Sequence, residues 1–331
     1  MLSAEEYVKT VLNGKKTDIR EKGEAFAPAN IALCKYWGKR DRELKLPLTD
    51  SLSVSMGSCG TVTSVKAASD NRNKVIFNGN ELPENSSFAR KVNEFAALLM
   101  QGEKIPLEIT TENNIPTAAG AASSASGFAA LTLALNDFLG YDLDSRALSL
   151  LAGIGSRSAS RSIFRGFVYN HRGQRTDGLD AFSERLPYEW PEMRLGLITV
   201  STEKKCMGSG KGMEHTEATS LLYGLWPKQV ERDMELILKA IKEKDFRLLG
   251  STAENNALTM HACMMSANPP LIYWEPETLA VIKSVSKARE EGLPCYVTID
   301  AGANVKLIFE KESENEITGL FPGIRIINPF T

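Results

Sequence analysis

The stretch "LEITTENNIPTAAGAASSASGFAALTLALNDFLG", residues 107–140, decides the fold. Its first eight residues predict a β-strand, and residues 127–140 have a helix-forming composition with Gly140 at the expected end. Between them, "PTAAGAASSASG" (residues 116–127) carries no charge, no aromatic ring and no side chain larger than proline. Because a linker rarely joins a strand and a helix this tightly, the segment is predicted to be a strand–helix loop rather than a low-complexity linker.

The small residues of this loop favour two interpretations equally. Glycine and alanine at the start of a helix let backbone N–H groups converge on an anion, and the helix dipole adds a favourable potential there. The same residue types allow a helix to pack closely against a sheet. The loop contains neither the Walker A pattern nor G-x-G-x-x-G, although Ser123 and Ser124 offer hydroxyls to a phosphate or a magnesium ion. Residue types alone leave both interpretations open.

The rest of the chain predicts an α+β fold, because strands and helices occur in blocks rather than in strict alternation. In the first half we expect an N-terminal helix with the capping-box pair Ser3 and Glu6, strands at 51–56, 62–67 and 74–79, and a helix at 86–101. In the second half we expect a strand at 194–202, a polar loop at 203–213, a helical region at 216–263 broken at Pro227 and Gly250, a helix at 278–292, and a strand–turn–strand unit at 295–311. The predicted division is a lobe of residues 1–193, with residues 1–24 as an N-terminal extension, and a lobe of residues 194–331.

Composition and charge exclude several classes of protein. The 331 residues are 43% hydrophobic and 24% charged, and 39 basic against 41 acidic residues give a net charge of -2. A nucleic-acid or membrane-surface binder is therefore not expected. The five cysteines and three histidines show no paired metal-ligand spacing, so neither a zinc site nor a disulfide framework is predicted. The charged start "MLSAEEYVKT" lacks the apolar run of a signal peptide, and we expect a cytoplasmic protein.

Three further segments carry groups that could contact an anionic substrate. "PANIALCKYWGKRD" (28–41) contains Lys35 and Lys39, "GSRSASRSIFRGF" (155–167) interleaves serines with arginines, and "TIDAGAN" (298–304) places Asp300 after a predicted strand. Arginine and neighbouring hydroxyls suit phosphate or carboxylate, and a carboxylate could position a hydroxyl proton. Taken singly, each segment is also compatible with an ordinary structural element: a solvated basic turn, a serine-capped helix start and an Asp-Gly turn.

Together and in this order, the segments resemble the mevalonate diphosphate decarboxylases of the GHMP kinase superfamily. "APANIALCKYWGKRD" is similar to the N-terminal signature of that family, and "ENNIPTAAGAASSASGFAAL" to its ATP-phosphate loop. "GSRSASRS" resembles its substrate segment, and "TIDAGAN" its catalytic aspartate segment. The resemblance extends from about Ala25 to Phe309, and four ordered motifs are far more specific than any one of them.

The resemblance implies a two-lobed GHMP kinase fold with the active site in the cleft between the lobes. It implies that ATP, with Mg²⁺, phosphorylates the 3-hydroxyl of mevalonate 5-diphosphate. Loss of that phosphate together with CO₂ then yields isopentenyl diphosphate, in the mevalonate pathway of isoprenoid biosynthesis. We also expect a homodimer.

The resemblance implies a role for each matching position. The catalytic residues would be Asp300, as base or positioner of the 3-hydroxyl, Lys35 near the reacting centre, and Arg161, which would hold the substrate carboxylate. The diphosphate end would contact Tyr36, Lys39, Ser156 and Ser158. The ATP phosphates would lie on Ala118, Ala119, Gly120, Ala121, Ala122, Ser123 and Ser124, with Ser209 and Lys211 as further contacts and Ser124 as a magnesium ligand.

The chain departs from the family pattern at a few positions. Arg157 and Arg165 stand where the family usually has glycine, and Asp50 belongs to a run, "LTDSLS", that differs from the usual Asn-Ser-Ser. Arg157 and Asp50 change the charge near the expected diphosphate site. The alternatives are a phosphomevalonate decarboxylase, a mevalonate 3-kinase, and a catalytically silent GHMP-fold binding protein.

Overall fold

The computed structural model describes residues 2–115, 122–203 and 205–330, and within helix α3 it leaves the side chains of residues 122 and 123 undescribed. The strands are β1 (Lys22–Cys34), β2 (Ser51–Ala67), β3 (Lys74–Phe77), β4 (Asn80–Glu81), β5 (Leu107–Asn113), β6 (Phe167–Asn170), β7 (Ser183–Arg185), β8 (Met193–Ile198), β9 (Cys295–Ile299), β10 (Val305–Glu310) and β11 (Arg325–Ile327). The helices are α1 (Ala4–Leu12), α2 (Ser87–Met100), α3 (Ala122–Phe138), α4 (Ser145–Gly155), α5 (Ser209–Thr219), α6 (Trp226–Glu243), α7 (Phe246–Met265), α8 (Pro276–Glu290) and α9 (Glu314–Leu320). Short 3-10 helices cover Arg157–Ile163, Leu221–Leu225 and Lys311–Ser313.

A seven-stranded sheet organises the first half of the chain. Its order is β4-β3-β5-β2-β6-β7, with β1 paired to β2, and the pairing is antiparallel except between β3 and β5. The helix that follows the quoted loop, α3, lies against β1. At Gly23 of β1 a Cβ atom would stand 2.2 Å from the carbonyl oxygen of Ala134, so the strand and the helix touch backbone to backbone. Close helix–sheet packing is therefore one function of the small residues in this region.

Strand β2 corrects the sequence prediction of two separate β runs at 51–56 and 62–67. The chain continues through the intervening glycines as one strand of 17 residues. The register against β1 shifts between Pro28 and Asn30, and Gly57 has a φ of +56°. A side chain at Gly60 would stand 2.1 Å from the carbonyl oxygen of Ala27. Glycine thus permits an irregularity within a continuous strand, where it was expected to end one.

A four-stranded antiparallel sheet of order β11-β8-β10-β9 organises the second half, with α6 and α7 packed on each other. The predicted strand–turn–strand unit is the β9–β10 hairpin. The predicted break at Gly250 is wrong, because Gly250 is buried inside α7 and a Cβ there would stand 2.0 Å from the ring of Tyr296. The break lies earlier, at Lys244, whose φ is +54°. Pro227, the other predicted break, lies in the first turn of α6.

The polar loop predicted at 203–213 is shorter than expected, because α5 begins within it at Ser209. The predicted lobe boundary between residues 193 and 194 falls at the start of β8, and it stays a prediction. No helix in the described parts of the chain combines the length and the apolar composition needed to cross a bilayer.

Candidate active site

A cavity of about 1070 Å³ lies between elements of the first and second halves of the chain. Its lining brings together segments that are far apart in sequence, from the end of β1, the 3-10 helix at Arg157–Ile163, the start of α5 and the β9–β10 turn. Ten of the residues predicted for the site line it: Lys35, Tyr36, Lys39, Ser124, Ser156, Ser158, Arg161, Ser209, Lys211 and Asp300.

Asp300 is held between two lysines. Lys35 Nζ lies 2.9 Å from Asp300 Oδ1, and Lys306 Nζ lies 3.0 Å from Asp300 Oδ2. The lysine side chains are 2% and 6% exposed, whereas that of Asp300 keeps 23% exposure toward the cavity. Burial alone would raise the pKa of Asp300, but the charges and hydrogen bonds of Lys306 and Lys35 hold that pKa well below its usual range. Asp300 is therefore a carboxylate at neutral pH, with its orientation determined on both oxygens.

Lys35 is itself tightly held, because it follows directly on β1. Its Nζ donates to the carbonyl of Ala32 at 2.8 Å, and its backbone N–H donates to Asn256 Oδ1 at 2.7 Å. Asn256 Nδ2 in turn donates to Asp233 Oδ2 at 2.7 Å, which determines the orientation of the amide. Burial lowers the pKa of Lys35, and the charge of Asp300 opposes that shift. A chain of hydrogen bonds from α6 through α7 thus positions the end of β1.

His261 binds the backbone of Asp300. Its Nε2 lies 3.2 Å from the backbone carbonyl of Asp300, and its ring lies 4.9 Å from that of Trp274. A carbonyl oxygen only accepts, so Nε2 carries the proton and donates it. Burial, with the charge of Lys35 nearby, lowers the pKa of His261 to about 3. The imidazole is therefore neutral beside the Lys35–Asp300–Lys306 cluster.

Arg161 also lines the cavity, and hydrogen bonds hold its guanidinium in place. Its Nη1 donates to Ser51 Oγ at 2.8 Å, its Nε donates to Ser53 Oγ at 3.1 Å, and Asn30 Oδ1 accepts at 3.3 Å and 3.4 Å. Within the described residues no carboxylate lies within 4.0 Å of it. Burial lowers the pKa of Arg161 to about 10, so it stays protonated at neutral pH. An unpaired buried cation of this kind is suited to an anionic ligand.

The serines of the same segment lie beside Arg161. Ser156 ends α4 and Ser158 lies in the 3-10 helix, and their hydroxyls are 3.1 Å apart. Arg157, between them, is buried and also lines the cavity. The segment therefore presents two hydroxyls to the cavity, flanked by two buried guanidinium groups.

Tyr36 and Lys39 reach the cavity because the chain turns after β1. Gly38 has a φ of +130°, and a side chain there would stand 1.9 Å from the hydroxyl of Tyr223. Lys39 Nζ lies 3.8 Å from Glu214 Oε1 on α5. The hydroxyl of Tyr36 is buried and has no hydrogen-bond partner among the described residues. This turn brings Lys39 to the cavity that Lys35 also lines.

The predicted ATP-phosphate loop is only partly described. Ala118, Ala119, Gly120 and Ala121 lie outside the described residues, and Ala122 and Ser123 are described only as the backbone that opens α3. Ser124 is exposed and lines the cavity. Ser209 and Lys211 line it from the first turn of α5, where the N-cap Gly208 makes no side-chain hydrogen bond. Because glycine has no side chain, Gly208 leaves the backbone N–H groups of that turn without a side-chain cap.

The described residues offer a nucleotide hydroxyls and cations rather than a protein-built metal cage. They include no cluster of three or more His, Cys, Asp or Glu side chains placed to hold a metal ion. Magnesium carried with ATP takes most of its ligands from phosphates and water, so one hydroxyl such as that of Ser124 suffices on the protein side. The donor set therefore fits a magnesium–nucleotide complex.

Sequence reasoning missed several cations of the site, above all Lys306, which is buried behind the lining and bonds to Asp300. Strand register could have found Lys306, because Thr298 pairs with Lys306 in the hairpin and Asp300 follows Thr298 by two residues, on the same face. Lys45, Lys91 and Lys205 also line the cavity. No local pattern marks these three, since their approach depends on how distant segments pack.

Two departures from the family pattern lie away from the cavity lining. Asp50 accepts from the backbone N–H of Arg172 at 2.6 Å and from the hydroxyl of Tyr169 at 2.8 Å. Arg165 lies over the ring of Phe26, 5.3 Å from its centroid. Of the departures that change charge, Arg157 alone is among the residues that line the cavity.

Two family models match most of the chain. The family model "Diphosphomevalonate decarboxylase-like N-terminal domain" matches residues 27–183, and "Mevalonate 5-diphosphate decarboxylase C-terminal domain" matches residues 196–325. The diphosphomevalonate decarboxylase of Aspergillus fumigatus is 36% identical over 310 residues, covering 87% of this chain and 77% of that protein.

Solved structures agree. A structure of the mevalonate diphosphate decarboxylase from Enterococcus faecalis superposes with a TM-score of 0.86 at 37% identity, covering 93% of this chain and 97% of that one. A structure described as "MDDEF in complex with MVAPP, AMPPCP and Magnesium" has a TM-score of 0.85 at 38% identity and covers 93% and 99%. The predicted α+β, two-lobed GHMP kinase fold is thereby confirmed. The chain belongs to the diphosphomevalonate decarboxylase family.

Proposed function

We propose that this protein catalyses the ATP-dependent decarboxylation of mevalonate 5-diphosphate to isopentenyl diphosphate, ADP, phosphate and CO₂. One observation carries the proposal. A carboxylate, Asp300, bonded to two buried lysines, shares a cavity with the unpaired guanidinium of Arg161. A substrate with a hydroxyl to activate and a carboxylate to lose needs such a pair of opposite charges.

The first half of the reaction is the phosphorylation of the 3-hydroxyl. Asp300 accepts the hydrogen bond of that hydroxyl and orients its oxygen toward the γ-phosphate of ATP. As the bond from this oxygen to the γ-phosphorus forms, the bond from that phosphorus to ADP breaks, and the hydroxyl proton passes to Asp300 and from there to solvent. Lys35 and Lys306 keep Asp300 in its charged form, and the ammonium of Lys35 adds positive potential where negative charge develops.

The second half is the loss of CO₂ and phosphate. Arg161 holds the substrate carboxylate, and cleavage of the C–C bond sends its electron pair into the new double bond as the 3-phosphate leaves. The hydroxyls of Ser156 and Ser158, with Tyr36 and Lys39, bind the diphosphate end. These contacts fix the orientation of the chain of carbon atoms between two anchored ends.

The nucleotide contacts proposed are the backbone of residues 118–124 together with Ser209 and Lys211. Magnesium would neutralise part of the charge of the ATP phosphates, and Ser124 would be its contact on the protein. ATP and magnesium are supported by the solved relative whose description includes AMPPCP, MVAPP and magnesium.

A coupled assay tests the proposal. Purified protein with ATP and magnesium is given mevalonate 5-diphosphate, and the release of phosphate, CO₂ and isopentenyl diphosphate is followed. We expect one phosphate, one CO₂ and one isopentenyl diphosphate for each ADP formed. A product phosphorylated at the 3-position without CO₂ release would assign a 3-kinase. Turnover of mevalonate monophosphate alone would assign a phosphomevalonate decarboxylase, and ATP binding without turnover would assign a silent binding protein.

We further propose a homodimer in the cytoplasm, with lobes of residues 1–193 and 194–331 and residues 1–24 as an extension. The exposed leucines Leu221, Leu222 and Leu225 support self-association, with Leu221 95% exposed. The five cysteines, all free, support a reducing compartment. Size-exclusion chromatography with light scattering tests the dimer, and a monomer at micromolar concentration would contradict it.

A further inference from the structure

We infer that Arg157 and Lys45 form a second layer of cations behind Ser156 and Ser158, and that this layer selects substrates by the charge of their phosphate end. The inference rests on the proposed function, which it deepens: it assigns to two residues the preference for a diphosphate over a monophosphate. Neither residue needs to touch the reacting atoms, so both are specificity-determining rather than catalytic.

Arg157 is a buried charge without a compensating carboxylate. It is 3% exposed, and its Nε and Nη2 donate to Asn170 Oδ1 at 3.3 Å and 3.1 Å, with Nη2 also donating to the carbonyl of Ala181. Both acceptors are neutral oxygens. In the described parts of the chain no carboxylate comes within 4.0 Å of its guanidinium. Burying such a charge is costly unless an anion shares its surroundings.

The fold makes room for this arginine. A Cβ atom at Gly153, one turn earlier on α4, would stand 2.8 Å from Arg157 Nη1. The absence of a side chain at Gly153 is therefore matched to the presence of the guanidinium. An amide and a carbonyl bind the guanidinium, and a glycine leaves space for it, so its position is well defined. Arg157 also lines the cavity.

Lys45 is a second uncompensated cation, and it lies at the end of α4, directly before Ser156. Its Nζ donates to the carbonyl of Gly155 at 2.8 Å and to that of Ile154, the last carbonyls of α4. No described carboxylate lies within 4.0 Å of its ammonium. Burial, together with the charges of Lys39 and Lys91, lowers the pKa of Lys45 to about 8. Burial is the larger cause, and the repulsion from Lys39 and Lys91 is the part that a bound anion would relieve.

The two cations adjoin the segment that is proposed to bind the diphosphate. Lys45 bonds to the carbonyl of Gly155, directly before Ser156, and Arg157 stands between Ser156 and Ser158 in the chain, so both charges belong to the immediate surroundings of these two hydroxyls. An unpaired charge in a region of low dielectric stabilises an anion in proportion to the charge of that anion. A diphosphate carries more negative charge than a monophosphate, so the second layer favours it. A neutral residue at position 157 or 45 should weaken that preference specifically.

The experiment compares kcat/KM for mevalonate 5-diphosphate with kcat/KM for mevalonate 5-phosphate. The variants are Arg157→Gln, Arg157→Lys and Lys45→Met, with Arg165→Gln as the matched control from the same segment. We expect the diphosphate-to-monophosphate ratio to fall about tenfold in Arg157→Gln and in Lys45→Met, which corresponds to about 1.4 kcal/mol of lost discrimination. Arg157→Lys should keep most of the ratio, and Arg165→Gln should leave it unchanged. An equal loss on both substrates would show a merely structural role and overturn the inference.

A binding measurement separates this inference from the proposed function. Calorimetry without ATP compares inorganic pyrophosphate with inorganic phosphate in the wild type and in each variant. A wild-type protein that turns over neither substrate would refute the proposed function, and the pyrophosphate-to-phosphate affinity ratio would still decide the inference. That ratio should exceed one and fall about tenfold in both neutral variants. A ratio that stays unchanged in Lys45→Met would overturn the inference even if Arg157→Gln failed to fold.

Discussion

The charged groups of the site form two sets, which we call its compensated side (Asp300 with Lys35 and Lys306) and its uncompensated side (Arg161 and Arg157). On one side, Asp300 is bonded to Lys35 and Lys306, so that anion and cations compensate one another within the protein. On the other side, the partners of Arg161 and Arg157 among the described residues are hydroxyl, amide and carbonyl oxygens, with no carboxylate. Both sides are built from buried groups, yet only the first has its counter-charge before a ligand arrives.

This difference indicates what each side requires of a substrate. The compensated side is complete and offers a charged carboxylate in one orientation, as a group that positions a hydroxyl must. The uncompensated side is completed by an anion, and its hydrogen bonds to neutral oxygens keep the guanidinium groups in place until then. A molecule with a hydroxyl in the middle and anionic groups around it satisfies both.

Removing the central charge of the compensated side should have the largest effect. We expect Asp300→Asn and Asp300→Ala to lower kcat by about 10³-fold or more, because the hydroxyl loses its acceptor and two lysines lose their counter-charge. ATP affinity should stay nearly unchanged, since Asp300 is not among the nucleotide contacts proposed. Steady-state kinetics and ATP titration measure the two quantities. An active Asp300→Ala enzyme would refute the catalytic role of this residue.

A neutral residue at Arg161 should have the next largest effect. Arg161→Gln removes the cation proposed for the substrate carboxylate, and we expect kcat/KM for the diphosphate to fall about 10²-fold. Arg161→Lys keeps the charge but not the fork of donors, so its loss should be smaller. Circular dichroism serves as the folding control, because Arg161 also bonds to Ser51 and Ser53. A wild-type kcat/KM in folded Arg161→Gln would contradict the assignment.

Lys306 tests whether compensation determines the charge of Asp300. Lys306→Met removes one of the two cations, so the pKa of Asp300 should rise toward its ordinary value. Since the carboxylate is the active form, the acidic limb of the pH profile of kcat/KM should move to higher pH. At neutral pH Asp300 stays ionised, so we expect a loss of at most about tenfold, which comes from the lost hydrogen bond that orients its Oδ2.

The shape of the profile, rather than its height, separates this role from a structural one. Lys306→Arg keeps the cation and should retain the acidic limb of the wild type. An unchanged limb in Lys306→Met, with a lower plateau only, would mean that Lys35 alone determines the protonation of Asp300.

Local pattern predicted much of this molecule. Helix α2 and the β9–β10 hairpin follow from apolar periodicity and from a glycine turn, both properties of short segments. The merging of two β runs into β2 did not follow, because a glycine in a strand predicts a turn and a bulge equally well. The predicted helix break at Gly250 was also wrong, because the small size of this glycine allows close contact with Tyr296 rather than ending the helix.

The residues of the site likewise include some that sequence patterns predict and others that only tertiary packing brings together. Motif order brought Lys35 and Asp300 into one prediction, although they are 265 residues apart and no local rule joins them. The hairpin register could have added Lys306. By contrast, the hydrogen bond from Lys35 to Asn256 and those from Arg157 to Asn170 and Ala181 depend on tertiary packing, which short patterns do not encode.

The smallest expected effect concerns stability and comes from His261, which must stay neutral behind the compensated side. Its folded-state pKa of about 3 lies below the ordinary value of 6.5, so the unfolded chain binds its proton first as the pH falls. The stability that this histidine contributes is therefore present above about pH 6.5 and is lost progressively toward pH 3. A protonated imidazole would place a third cation next to Lys35 and Lys306 around a single carboxylate.

His261→Gln removes this titration while keeping a donor for the carbonyl of Asp300. We expect the unfolding free energy of the variant to fall less steeply between pH 6.5 and pH 4, by up to about 1.4 kcal/mol for each pH unit over which one proton is bound on unfolding. Urea denaturation at several pH values measures both slopes. At pH 8 the variant should be close to the wild type or slightly less stable, because the ring also packs on Trp274. Parallel slopes in the two proteins would show that His261 is protonated in the folded state, and that the compensated side tolerates a third positive charge.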